Sequence, residues 1–215
     1  MIRTRRLVPF IALALLAAGC SDEVNGTGSV FGAGPSPGGA SSTAPAAPPT
    51  GCPRVDYPAA KLSFTCLTTG MRAFYQGTVW PVSERKTVEA SSGWLLEEGG
   101  GHWGSPDGVA LVDIALNVRQ QMLDGDSYGS QPTVRTVVSK PMTVDGAPAY
   151  LVQTNFGINP AFARTEGTKV KQERLWILAV QVAHEDVSLW YASVPDLVKS
   201  LWAKVPQVIA SIKVG

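Results

Sequence analysis

Leu175-Trp176-Ile177-Leu178-Ala179-Val180-Gln181-Val182 is the stretch whose reading decides the fold. Seven of these eight side chains are apolar and none is charged, so the run has no wet face to alternate with a dry one. Short and apolar throughout, it reads as a central strand covered on both faces. Working outward from it, His184-Glu185-Asp186 makes a polar turn and Val187 to Val194 returns as a further strand. On the other side a polar loop is expected over 157–169. Before that loop lie two β-rich runs, Val134 to Ser139 and Ala149 to Thr154, separated by Val144-Asp145-Gly146-Ala147. An Asp-Gly pair between two such runs signals a hairpin, because both turn residues must adopt positive φ.

Helices are expected on either side of this block. Ser105-Pro106-Asp107 has a capping hydroxyl, a proline for the first turn and an acid near the positive end of the dipole. Val109, Val112, Ala115, Leu116, Arg119 and Leu123 follow at helical spacing, and Gly125 closes the helix. Pro195-Asp196 opens a second helix by the same logic, with Leu197, Val198, Leu201, Trp202 and Val205 as its apolar face. Pro206 removes a backbone donor, so that helix kinks or restarts there before Val208, Ile209 and Ile212. Upstream, Leu62, Phe64 and Cys66 alternate with Ser63, Thr65 and Leu67, which suggests a strand after the turn at Tyr57-Pro58. Residues 71–98 are rich in β formers and aromatic side chains, enough for several strands, and Glu97-Glu98-Gly99-Gly100-Gly101 reads as the loop that ends them. Strands, helix, antiparallel strands, helix: the order predicts one α+β domain over 52–215, mainly antiparallel sheet flanked by two principal helices. About 160 residues suffice for one real core.

The N-terminal fifty residues are of another kind. Arg3, Arg5 and Arg6 precede a short apolar segment, Leu7 to Leu16, which ends in Ala17-Ala18-Gly19-Cys20. Ten or so apolar residues are about half of a bilayer-spanning helix, so residues 1–19 read as an export signal. The cysteine directly after Ala17-Ala18-Gly19 resembles a bacterial lipobox, with Ala17 where leucine is the usual residue. The resemblance implies cleavage before Cys20 and its acylation, which attaches the chain to the membrane through diacylglyceryl-Cys20. Residues 20–51 then form a tether of Gly, Ser, Ala, Pro and Thr that cannot bury enough surface to order itself. As a flexible coil it reaches about 30 Å. An attached domain of this kind sits on the extracytoplasmic face of the cell membrane.

The formal charge of +1 includes three arginines of the signal; without them 15 basic side chains face 17 acidic ones, a net of −2. With no concentrated basic face, nucleic acid is excluded as a partner. Of the three cysteines, Cys20 goes to lipid, which leaves Cys52 and Cys66 as an even pair in an oxidising compartment. A disulfide there would contribute about 3 kcal/mol. No cofactor is expected, and with only His102 and His184 in the chain a zinc site lacks ligands.

Catalytic signatures are sparse. Ser83-Glu84-Arg85-Lys86 fits Ser-x-x-Lys, yet the companion motifs of penicillin-binding enzymes are missing. Gly101-His102-Trp103-Gly104-Ser105 brings a histidine and a serine together without a nucleophile elbow, and Ser105 already has a role as a helix cap. Trp176, Trp190 and Trp202 belong in apolar runs, whereas Trp80, Trp94 and Trp103 lie among glycines, prolines and charges. Trp94, His102 and Trp103 are therefore the candidate binding surface.

A tryptophan-bearing strand before a capped helix, the Val-Asp-Gly-Ala-Pro-Ala-Tyr hairpin at 144–150, and a closing Ser-Val-Pro-Asp helix that ends in Ile-Ala-Ser-Ile-Lys-Val resemble the actinobacterial LpqN-type lipoproteins, members of the Mog1/PsbP-like α/β/α sandwich group, over roughly residues 60–214. The resemblance implies a non-enzymatic accessory or binding domain whose partner is an envelope protein or glycan. Two other functions are open: a secreted hydrolase using His102 and Ser105, and a carrier of an apolar ligand between sheet and helices.

Overall fold

The computed structural model describes residues 53–73, 84–89, 91–104, 108–124, 128–129 and 132–215. The signal, the tether, Cys20, Cys52, Trp80, Ser83 and Ser105 lie outside the described residues.

Among the described residues ten strands form two antiparallel sheets. The first strands are β1 (Arg54–Tyr57), β2 (Leu62–Thr65), β3 (Arg72–Ala73), β4 (Glu84–Thr87) and β5 (Leu95–Gly104). The rest are β6 (Thr133–Val144), β7 (Ala147–Gly157), β8 (Gln172–Ala183), β9 (Asp186–Pro195) and β10 (Lys213–Val214). The large sheet runs β3-β4-β5-β9-β8-β7-β6 and the small one β1-β2-β10. The helices are α1 (Leu111–Leu123), α2 (Pro160–Glu166) and α3 (Val205–Ser211), with a 3₁₀ segment at Asp196–Ala203.

The apolar run lies within β8, between β7 and β9, buried on both faces as expected. Alternation sends Trp176, Leu178 and Val180 to one core and Leu175, Ile177 and Ala179 to the other. In the second core α1 packs Ile114, Ala115 and Val118 against the sheet. In the first, α3, the 3₁₀ segment and the small sheet supply Val205, Val208, Leu201, Leu62 and Phe64. Phe64 stacks on Tyr57, with ring centroids 5.9 Å apart, and meets the fully buried Trp190 edge-on at 6.2 Å. The result is a sandwich with cover on both faces of a seven-stranded sheet.

The hairpin is as its turn residues demand: β6 and β7 are joined by Asp145 and Gly146, with φ of 49° and 83°. Asp145 also closes the chain end, since its carboxylate accepts from Lys213 Nζ at 2.8 Å and from the Val214 amide at 3.1 Å.

Four expectations are corrected. Glu97 to Gly101 is no loop but the middle of β5, in register with Ser193 to Leu189 of β9. A Cβ on Gly100 would lie 2.8 Å from the Leu189 carbonyl oxygen, so the glycine there lets two backbones approach inside the sheet. Helix α1 starts at Leu111 with Ala110 at its N-cap, well after Ser105, and Val109 stays exposed before it. The 157–169 segment is only partly loop: Asn159 caps α2 by accepting from the Ala161 and Phe162 amides, Pro160 occupies its first turn, and Gly167 ends it at φ 68°. Pro195 ends β9 and is the N-cap of the helix that follows, with Asp196 in its first turn, but that helix is 3₁₀ rather than α over Asp196–Ala203. Pro206 falls in the first turn of α3, so the chain restarts a helix there.

Candidate functional site

Trp94, His102 and Trp103 are not brought together. Trp94 precedes β5 and Trp103 stands near its far end, so nine residues of extended chain, about 30 Å, separate them. Both pack half-buried against the α1-side core. His102, next to Trp103, alternates to the opposite face. Cys66 is buried just after β2, its Sγ 3.3 Å from the Thr68 carbonyl oxygen.

What Trp94 does instead is hold a buried carboxyl. Glu173 sits on β8 beneath the second core, 4% exposed. Trp94 Nε1 donates to its Oε2 at 2.9 Å. Its Oε1 accepts from Tyr128 Oη at 3.4 Å and from the Ser193 hydroxyl. The rings of Trp94 and Tyr128 are 6.4 Å apart, and Tyr128 leans on Phe156 at 5.2 Å, which roofs the carboxyl with aromatic surface. Burial pushes the Glu173 pKa up to about 7; the Ser193 and Trp94 hydrogen bonds oppose this, and the charge of Glu97 adds to it. Burial, reinforced by the charge of Glu173, holds the Tyr128 phenol well above its ordinary value. The cluster stores a proton near neutrality inside a packed core. Nothing in the sequence around Gln172-Glu173-Arg174 marks it; the pairing of β8 with β9 brings Ser193 to it, and Trp94, just before β5, and Tyr128, after α1, close over it.

His102 has a partner that sequence reading missed. Its Nε2 lies 2.5 Å from Asp186 Oδ1, while Lys61 Nζ lies 2.9 Å from Oδ2 of the same carboxylate. The Lys61 hydrogen bond, then that of His102, holds the Asp186 pKa below its ordinary value. The aspartate of a hydrolytic triad holds Nδ1 and leaves Nε2 to face the serine, whereas Asp186 takes Nε2 of His102; the serine considered with it, Ser105, lies outside the described residues. His184 is 90% exposed, a solvated turn residue 3.7 Å from Glu185. Among the described residues no group of three His, Cys, Asp or Glu side chains could hold a metal ion.

The remaining distinctive surface is an edge. β6 is the last strand of the large sheet, twelve residues long and exposed at nine of its positions, with Val138 and Met142 half-buried and Val144 buried. Val134 and Val137 are 43% and 45% exposed, and the register slips between Thr136 and Val138. Arg135 and Lys140 are its only charged residues.

No protein-family model and no curated protein matches the chain. Among solved structures, the solution structure of cyanobacterial PsbP (CyanoP) from Synechocystis sp. PCC 6803 matches with a TM-score of 0.52 at 12% identity, over 76% of this chain and 92% of that one. The fold is therefore a PsbP/Mog1-like α+β sandwich. A Pseudomonas aeruginosa protein of unknown function, PA94, is similar over 62% of this chain and 77% of its own at 12% identity, but its TM-score of 0.30 carries no weight.

Proposed function

We propose that the protein is an LpqN-type lipoprotein, anchored through Cys20 on the extracytoplasmic face of the bacterial cell membrane, that works as a binding or accessory module and not as an enzyme. The observation that carries the binding role is the edge of β6, which among the described residues pairs with β7 alone, so that a row of backbone donors and acceptors lies beside exposed Val134 and Val137. The occupant is an extended, net-acidic segment of an envelope protein. Self-pairing is disfavoured by charge: an antiparallel copy centred between Val137 and Val138 would set Arg135 against Lys140. Pro141 has no amide proton, which confines docking to roughly 133–139.

A photo-crosslinking residue at Val137 in intact cells tests this, with the same residue at exposed Glu166 as control. A discrete adduct from position 137 alone is expected; no adduct, or the same adducts from both positions, would refute it. In the same cells Cys20→Ser should move the protein from the membrane fraction to the soluble one, because the lipid chains supply the attachment.

A further inference from the structure

Arg135, Asn155 and Arg174 stand in register on β6, β7 and β8, and alternation puts all three on the sheet face that carries Trp176. Two strand spacings separate the arginine backbones, about 10 Å. The head of Arg174 is fixed from three sides. Its Nε donates to Asn155 Oδ1 at 2.8 Å, and its guanidinium lies 4.0 Å from the Trp202 ring centroid and 5.8 Å from that of Trp176. Trp202 is itself immobilised, since its Nε1 donates to the Val194 carbonyl at 3.0 Å. With Nε taken by Asn155, the two terminal nitrogens of Arg174 remain, and they have no hydrogen-bond partner among the described residues. Neither Arg135 nor Arg174 forms an ion pair among the described residues.

A long side chain laid over tryptophan merely to reach water would leave its whole head to solvent. Arg174 is held differently, with a fixed plane, a used Nε and an unused end. We infer that Arg174, supported by Asn155 and Trp202 and flanked by Arg135, is a recognition site for a carboxylate. The carboxylate would dock end-on across the two terminal nitrogens as a bidentate pair. The stacked tryptophan offers apolar contact to the carbon skeleton that bears it, and the exposed Arg135 adds long-range attraction. Burial lowers the Arg174 pKa, so an anion would also restore the solvation that the packed head has lost. The site goes beyond strand docking on β6 and does not depend on it.

Succinate tests the site directly, titrated at constant ionic strength against a chloride control. The Arg174 Nε–H and Trp202 indole N–H resonances are the readout, because both protons are held in hydrogen bonds in the structure. Saturable shifts of both with succinate are expected. Arg174→Gln, followed on the indole resonance, should weaken binding about tenfold or more, and Arg174→Lys should not restore it, since an ammonium lacks the planar fork. Arg135→Gln, at an exposed position, should weaken it several-fold. Equal shifts with chloride, or no loss in Arg135→Gln and Arg174→Gln, would overturn the site; inorganic phosphate binding tenfold tighter than succinate would overturn its assignment to carboxylates. Succinate carries no strand, so its failure removes this subsite while the Val137 cross-link still judges the docking edge.

Discussion

Glu173→Gln should abolish a pH dependence of stability that the wild-type protein carries between about pH 4.5 and 7. In the unfolded chain this carboxyl titrates near its ordinary 4.5; in the folded core burial holds it near about 7. Below the lower value both states are protonated and the group is neutral in its effect. Between the two values the folded state keeps a proton that the unfolded state has lost, so stability falls as pH rises, by about 1.4 kcal/mol per pH unit. The loss is complete above about 7 and amounts to about 3 kcal/mol. Glutamine is an uncharged isostere that fits the same partners: its oxygen accepts from Trp94 Nε1, and its amide donates to the hydroxyls of Tyr128 and Ser193, which rotate to accept. Wild type and variant should therefore unfold at similar denaturant concentrations at pH 4.5, and the variant should be the more stable at pH 8. Taking the difference between the two proteins cancels Asp145 and Asp186, whose lowered pKa values make stability fall in acid instead. Parallel pH profiles for wild type and Glu173→Gln over this range would refute the reasoning.

Gly100→Ala should destabilise by about 1–3 kcal/mol, read as a lowered melting temperature, because the new methyl meets backbone at Leu189 that cannot swing aside. Gly93→Ala gives a contrast: nothing lies within 4 Å of its Cβ, so its cost comes only from a φ of 70°. Asn159→Ala removes the cap of α2 and should cost about 1 kcal/mol, seen as faster amide exchange at Ala161 and Phe162 with little change in the exchange of β8.

What was legible in the sequence was whatever local chemistry dictates alone. The β8 run cannot be anything but covered on both sides, and Asp145-Gly146 supplies the two positive φ values that a tight hairpin requires. Helix α2 was equally legible and went unread: Asn159, Pro160 and Gly167 are a cap, a first-turn proline and a left-handed terminator, but seven residues leave too little periodicity to draw attention. Helix α1 shows the reverse fault, a good capping string at 105–107 that does not begin the helix it precedes.

The run Glu97-Glu98-Gly99-Gly100-Gly101 misled for a deeper reason. Two acids and three glycines have the composition of a loop, and composition measures what a segment prefers in water. Inside β5 these residues answer to neighbours that only the fold supplies. The glycines lie in register with Tyr191, Trp190 and Leu189, and Gly100 is small because the Leu189 carbonyl stands where its side chain would begin. Glu98 is fully buried and accepts from the Leu67 amide at 2.8 Å, while the charge of Glu97 raises the proton affinity of Glu173. The same holds for the pair that follows on β8. Glu173 and Arg174 are adjacent in sequence, an ordinary exposed ion pair on composition alone, yet a strand sends them to opposite cores. There each lacks the other's charge. Glu173 meets that loss by holding a proton to about pH 7. Arg174 cannot shed its proton in the same range and keeps its charge on two tryptophans, with two nitrogens turned to whatever anion can reach them.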